Sequence, residues 1–389
     1  MATTRSELKN YLNTAKELAV LVSENVDQIN ELRRIPRHVS DAIAKEGFFR
    51  LLMPRELGGA ELEHPYFLKI VHIFGVIDGS TAWCINQNNV FATNSTRMTA
   101  EAVEKIYVDP LAVVTNGPPS SSTRALITEE GYSLTGHWNF SSGSRHGTWI
   151  AALSPIGEET GSKDPTQSRE GMRVLLLQQE QAEMIDTWQV NGLRGTGSFS
   201  FKIDNLSIPN EMTYDPNGKP KYCNPLYSIP TTLLFSSGFA TVALGCARAA
   251  LDAAIELSST KRPGFSKNHL YQDITTQRNI GNAEAIWGSA KAYLKECTDQ
   301  VWSAVNTEGS LTTEQRIRLR LASTYGIRKA VEVTGMAYTL CGSTSIFEFS
   351  PIQRRFQDVN VISQQIQGRL THYDSAGQFF LGMEPEGIF

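Results

Sequence analysis

The run Gly136–Trp149, GHWNFSSGSRHGTW, gathers side chains that could serve a bound molecule. On a strand, Trp138 and Phe140 would share one face, and His137 and Asn139 the other. Ser141, Ser142 and Gly143 follow at the strand end, with hydroxyls and close backbone approach, and His146 stands three residues beyond. An aromatic ring, hydroxyls, a permissive glycine and a histidine suit a flat heteroaromatic ligand with polar edges. The same residues also suit an ordinary strand with a core tryptophan and a turn, and composition leaves both readings open. A second run, WQVNGLRGTGS (188–198), is a glycine-rich turn ahead of a strand, a pattern that any β-turn can produce. Other chemical signatures are missing: there is no GxSxG elbow, no GxxxxGK[ST] loop, no HExxH and no strand-followed GxGxxG. His38, His64, His72, His137, His146, His269 and His372 show no metal-ligand spacing, so no metal is expected.

Three zones would position these residues. Up to about residue 112 the chain reads helical, with Leu8, Leu12, Ala15, Ala19, Val22, Val26 and Ile29 forming one face of a long helix. Pro36 starts a second helix that Gly47 closes, the segment 47–59 reads as a break, and stretches 65–77 and 79–107 follow as helices. From about 113 to 215 the period shortens. Runs 125–140, 148–156, 171–179 and 199–209 are strand-like, and 157–171 reads as an exposed hairpin loop, which suggests a small antiparallel barrel or sandwich. Residues 231–259 then form an apolar helix rich in small side chains, a loop marked by Pro263 and Gly264 follows, and helical stretches occupy about 272–306, 312–341 and 351–381. The expected domains are 1–112, 113–218 and 219–389.

Composition bounds the function. The chain has 389 residues, 41% hydrophobic and 20% charged, which is enough for a large core and excludes wholesale disorder. A net charge of -4 and a pI near 6.0 leave no basic footprint for nucleic acid. No apolar run approaches the roughly 20 residues of a membrane span, and MATTRSELKNYLNTAKEL is too polar for a signal peptide. Five scattered cysteines (Cys84, Cys223, Cys246, Cys297 and Cys341) argue against a disulfide framework and fit a reducing cytoplasm.

The whole chain resembles the acyl-CoA dehydrogenase superfamily. GFFRLLMPRELGG (47–59) looks like its early motif, and CGSTSIFEFSPIQRRFQD (341–358) is similar to its glycine-containing loop before the last helices. KRPGF (261–265) stands where the family has a loop reaching a neighbouring subunit's flavin. The resemblance implies an N-terminal helical domain, a middle antiparallel β-barrel and a C-terminal four-helix bundle. It also implies cofactor contacts from Arg262, Phe265 and Gly342, and a homotetramer built as a dimer of dimers. Dehydrogenases of the family carry a catalytic glutamate, but the matching stretches here, VNVISQQIQGR (359–369) and LLFSSGFA (233–240), hold no carboxylate. Glutamine cannot take the α-proton that dehydrogenation requires.

The pattern GxWxFxSGxxHxxW is met by Gly136, Trp138, Phe140, Ser142, Gly143, His146 and Trp149. With the GLRGTGS turn and DGSTAWC (78–84), it resembles the reduced-flavin monooxygenases built on the same scaffold. That branch takes reduced FAD or FMN from a separate NAD(P)H-dependent flavin reductase and reacts it with O2 to a C4a-hydroperoxyflavin, which hydroxylates an electron-rich aromatic or indole-like ring. The resemblance implies cofactor contacts from Trp138, Ser141, Ser142, Thr196 and Ser198, and substrate contacts from Trp83, Asn88 and His146. His146, Ser142 and Gln365 would be the catalytic groups. Many relatives carry histidine where this chain has Asn360, Gln364 and Gln365, and another after the AW dipeptide, where it reads NQNN (86–89). Neutral donors at those positions suit a substrate that needs no deprotonation, such as an indole. The alternatives are a flavin dehydrogenase acting on an acyl thioester and a non-catalytic scaffold.

Overall fold

Thr4 opens the first helix with a capping box: it accepts from the Glu7 amide while the Glu7 carboxylate accepts from its own. This computed structural model describes residues 4–157 and 171–389, so most of the expected loop 157–171 lies outside the described residues. Helix α1 (Arg5–Glu24) buries Leu8, Ala15, Ala19 and Val22, as the periodicity predicts, and Leu18 in addition, while Leu12 is half-buried. It stops short of Ile29 because Asn25 leaves helical geometry at φ -115° and turns its amide back onto the Leu21 carbonyl. Helix α2 (Val26–Leu32) resumes, and α3 (Arg37–Lys45) begins after Pro36. Helices α4 (His64–Ile77) and α5 (Gly79–Ala92) follow, joined at Asp78, whose carboxylate accepts from the Thr81 amide and hydroxyl. The expected helix 79–107 is divided by a 3-10 turn, and the Thr99 cap starts α6 (Ala100–Tyr107).

Among the described residues eight strands follow: β1 (Val114–Gly117), β2 (Arg124–Ile127), β3 (Gly131–Ser141), β4 (Trp149–Pro155), β5 (Met172–Gln178), β6 (Glu183–Ile185), β7 (Phe199–Pro209) and β8 (Thr213–Tyr214). They make two four-stranded sheets, β1-β4-β5-β8 and β2-β3-β7-β6, packed over Leu134, Trp138, Phe201, Ile150, Leu175 and Leu177. The expected antiparallel barrel is corrected on two points. The sheets do not close, and β1 pairs parallel with β4 because it enters from α6 rather than through a hairpin.

The chain then returns to helix. Helix α7 (Thr231–Thr260) is buried along most of its length, and α8 (Ile274–Thr307), α9 (Thr313–Cys341) and α10 (Pro351–Gln364) pack around it and each other. The stretch 351–381 is broken by a 3-10 turn, after which α11 (Thr371–Phe380) docks on α9. Helix α7 is long and apolar enough to cross a bilayer, contrary to the sequence expectation, but its apolar window is 83% buried inside the protein. Its small residues let other helices of the same chain approach: a Cβ on Gly245 would lie 2.7 Å from the Gly75 carbonyl carbon of α4. Most of stretch 237–254 is thereby filled from within the chain. A continuous core joins the N- and C-terminal helices, and the sheets lean against it along α5.

Candidate active site

The end of β3 carries an irregularity that sets the site. Its pairing with β7 slips between Trp138 and Ser141, and Phe140 takes φ +53°, a left-handed conformation unusual for an aromatic residue. The slip undoes the shared face expected of Trp138 and Phe140. Trp138 points into the sandwich, fully buried, stacked 5.0 Å from Phe201, with its indole N–H donating to the Leu153 carbonyl at 2.8 Å. Phe140 turns outward, 64% exposed, edge-on to Trp188 at 6.3 Å. Trp138 is thus a core residue with no free ring face, whereas Phe140 presents an exposed ring at the strand end.

Beyond the slip, Gly143 adopts φ +82° and donates its amide to the Thr196 carbonyl at 2.8 Å, tying the strand end to the turn 193–198. The two segments bring three hydroxyls into a chain. Ser142 Oγ lies 2.7 Å from Ser198 Oγ, which lies 2.7 Å from Thr196 Oγ1; Thr196 in turn donates to the Leu193 carbonyl. Helix α5 enters from the other side, where the Trp83 indole N–H donates to Ser142 Oγ at 3.1 Å. The Trp83 ring stacks on Phe239 of α7 at 3.8 Å, and Phe235 and Phe91 continue this aromatic wall.

Next to this chain stand polar atoms without protein partners. Both ring nitrogens of His146, the Asn88 Oδ1 and the Ser141 Oγ are buried and unpaired. A Cβ placed on Gly143 would sit 3.0 Å from His146 Nε2 and 3.2 Å from Asn88 Oδ1, so the glycine keeps the space between them open. The other half of Asn88 is fixed by donation to the Val114 carbonyl at 3.0 Å, and His146 stacks on Phe49 at 5.4 Å. Burial, with the Arg37 charge adding to it, pushes the His146 pKa down to about 4, so its imidazole is neutral at physiological pH. Buried polar atoms are rarely left unsatisfied, and a cluster of them beside a hydroxyl chain marks a place for a polar-edged ligand.

The remaining expected site residues lie elsewhere. Gln365 caps a turn, its Oε1 accepting from the Gln367 amide at 2.7 Å. Asn360 is likewise bonded to its own helix, through the Phe356 carbonyl. Arg262, Phe265 and Gly342 gather at the far end of α7, where Lys261 bonds the Cys341 carbonyl and Thr344 hydroxyl and so joins their two loops. From Phe239 to Thr260, α7 rises about 30 Å at 1.5 Å per residue, so these loops stand well away from the hydroxyl chain of their own protomer. The outward turn of Phe140 is the feature of this strand end that sequence reasoning missed. Its one signal was an aromatic residue two positions before Ser142, at a strand end.

The polar groups gathered here, Ser142, Ser198, Thr196, Asn88 and His146, are all neutral. The acyl-CoA dehydrogenase N-terminal and C-terminal domain models match residues 6–114 and 237–367. Indole-3-acetate monooxygenase of Pseudomonas putida is 30% identical over 367 residues, covering 92% of this chain and 90% of that protein. The oxygenase subunit HsaA of a flavin-dependent monooxygenase from Rhodococcus jostii is 22% identical, with 87% and 89% covered. The crystal structure of TdsC from Paenibacillus sp. A11-2 with FMN and indole superposes with a TM-score of 0.80 at 19% identity, covering 97% of this chain and 98% of that one. The chain belongs to the acyl-CoA dehydrogenase superfamily. Within it, the protein is a flavin-dependent monooxygenase, the oxygenase component of a two-component system.

Proposed function

We propose that the Ser142–Ser198–Thr196 chain and the exposed Phe140 ring hold reduced flavin, and that His146 and Asn88 hold a small aromatic substrate of the indole class. Reduced FAD or FMN is delivered by a flavin reductase, and when bound it supplies the electrons that activate O2, one oxygen atom entering the substrate and the other leaving as water. The residues fit that group. Hydroxyls can donate or accept along the polar edge of a heteroaromatic ring, while Phe140 offers a face against which it can lie. Trp83, Phe239 and Phe235 wall the site with apolar surface that keeps water from the reacting atoms. His146 is neutral, so it can donate from one nitrogen and accept at the other, and with its pKa pushed down to about 4 it is a weak base toward a phenol or a carbon acid. The single observation that carries this reading is the set of unpaired atoms on His146, Asn88 and Ser141 beside the hydroxyl chain.

Mixed with an NADH-dependent flavin reductase and oxygen, the protein is expected to hydroxylate indole or indole-3-acetate. Acyl-CoA with an artificial electron acceptor is expected to give no turnover. Reduction of bound flavin by acyl-CoA would overturn the reading.

The exposed loops at the far end of α7 support a homotetramer, a dimer of dimers. Phe265 is fully exposed, and Phe347 and Phe349 stack on each other, half-exposed or more. Rings so placed, on the same loops as Arg262, suit cover by a second copy that receives them near its own cofactor. Light scattering at micromolar concentration is expected to give about four times 43.0 kDa. A fully active monomer would refute both the assembly and the Arg262 role. The free cysteines suit a cytoplasmic setting.

A further inference from the structure

Asp358 is 3% exposed, lies on α10 in the C-terminal domain, and makes one bond that crosses to the β domain. Its Oδ1 accepts from the Leu193 amide at 2.6 Å, at the start of the turn that carries Thr196 and Ser198. Leu193 itself is in the left-handed region at φ +51°, a conformation the surrounding contacts must hold in place. The turn presses closely on α10 here: a Cβ on Gly192 would lie 2.3 Å from the Gln357 carbonyl oxygen. On the other side, Trp188 donates to the Leu193 carbonyl at 3.1 Å. The second oxygen of Asp358, Oδ2, is buried without a partner.

We propose that Asp358 is a positioning residue of the oxygenase, fastening the turn 192–198 to the C-terminal helices so that Thr196 and Ser198 meet Ser142 at hydrogen-bond distance. The proposal rests on the reading of these hydroxyls as the flavin-holding chain. Removing the carboxylate frees the Leu193 amide, the turn drifts from α10, and the hydroxyl chain loses two of its three members. Reduced flavin then yields hydrogen peroxide rather than product.

The groups facing Asp358 also give the clasp a pH dependence. Asp78 at the N-terminus of α5, the Cys246 thiol of α7, Arg355 and Arg354 on α10 and the Leu193 amide surround it. Burial, then the Asp78 charge, push its carboxyl up to about 7, against the opposing pull of Arg355, the Leu193 bond and Arg354. Arg355 is committed to the Val76 and Ile77 carbonyls at the end of α4, and Arg354 pairs with Asp27 at 2.7 Å. Burial being the larger cause, opening the turn hydrates the carboxyl and lowers its pKa, so ionisation favours the open turn. The clasp therefore loosens as pH rises through about 7.

Hydrogen exchange, which needs no flavin, tests the fastening. In the wild-type protein, protection of amides 192–198, corrected for intrinsic exchange, is expected to fall as pH passes from 6 to 8, while α1 amides hold steady. Asp358→Asn keeps an acceptor for Leu193 but cannot ionise, and is expected to retain the protection and lose the pH step. Asp358→Ala is expected to speed exchange in 192–198 roughly ten-fold or more and to raise peroxide released per NADH oxidised. A pH step that persists in Asp358→Asn would overturn the clasp, as would unchanged exchange in Asp358→Ala. Faster exchange with unchanged peroxide release would leave the fastening standing and overturn the flavin-holding role of Thr196 and Ser198.

Discussion

Ser142 and His146 flank Gly143 in sequence and divide the site between them, and their substitution separates the two roles. Ser142 links the Trp83 indole to Ser198, so Ser142→Ala interrupts the chain proposed to hold the flavin edge. A lost buried hydrogen bond costs about 1–3 kcal/mol, and the expected result is a roughly ten- to hundred-fold rise in peroxide release per product formed. His146→Ala removes two ring nitrogens that have no hydrogen-bond partner, so no hydrogen bond is lost with it, though the stack on Phe49 is, while product formation slows with indole present and oxygen consumption continues. Coupled NADH, peroxide and product assays on both variants distinguish these outcomes; unchanged coupling in both, with only the melting temperature lowered, would make the motif structural. The hydroxyls and the histidine were legible in the sequence because polar residues at a strand end have few core roles. The ring that accompanies them was not. Period-two alternation places Trp138 and Phe140 together, and only the slip in pairing with β7, which no residue in the run announces, sends one inward and the other out.

At the scale of elements, the long helices were readable and their interruptions were not. The apolar periodicity of α1 and the small-residue texture of α7 determine which faces are buried, whereas the breaks at Asn25, after Ala92 and after Gln364 depend on single caps and short 3-10 turns. The helix that fills α7's groove follows from the same texture. Gly238 lies against Asn86 of α5 so closely that a Cβ would come within 1.8 Å of the Asn86 Oδ1, and the Asn86 amide is itself buried without a partner. Gly238→Ala should therefore push α5 from α7, at a cost of about 1–3 kcal/mol. Adding Asn86→Ala removes the obstructing atoms, so the double variant should recover part of that loss, a coupling that thermal melts of the four proteins would measure. Because α5 also carries Trp83 and Asn88, Gly238→Ala alone should depress product formation beyond its effect on stability. Additive effects of the two substitutions on melting would mean that the helices do not meet through this pair.

For the whole molecule, buried ionisable groups set opposing pH slopes, and their balance decides where the fold is strongest. His64, His72 and His146 each have their pKa pushed down to about 4 by burial, with Lys291 adding to it at His72 and Arg37 at His146. Below the ordinary histidine value of 6.5 the unfolded chain binds protons that the folded protein refuses, so stability falls as pH drops from about 6.5 toward 4. Each histidine contributes on the order of 3 kcal/mol to that loss at most. Asp358 works the other way. Its pKa is raised from 3.8 to about 7, so its contribution is fullest at low pH and is lost as pH climbs to 7. Three groups outweigh one, and melting temperature should rise steeply from pH 4.5 to 6.5 and flatten above 7. His64 separates the stability effect from the chemistry, since it is buried in the helical core and bonded to Ser237 rather than to any member of the hydroxyl chain. His64→Gln keeps a polar partner for that serine without a titrating ring, and should shallow the net acid limb, in which three histidines are set against Asp358, by about one half while leaving substrate coupling at pH 7.5 unchanged. An acid limb as steep as in the wild-type protein would show that His64 takes up its proton in the folded state, and would transfer the acid sensitivity to His72, His146 or the surface.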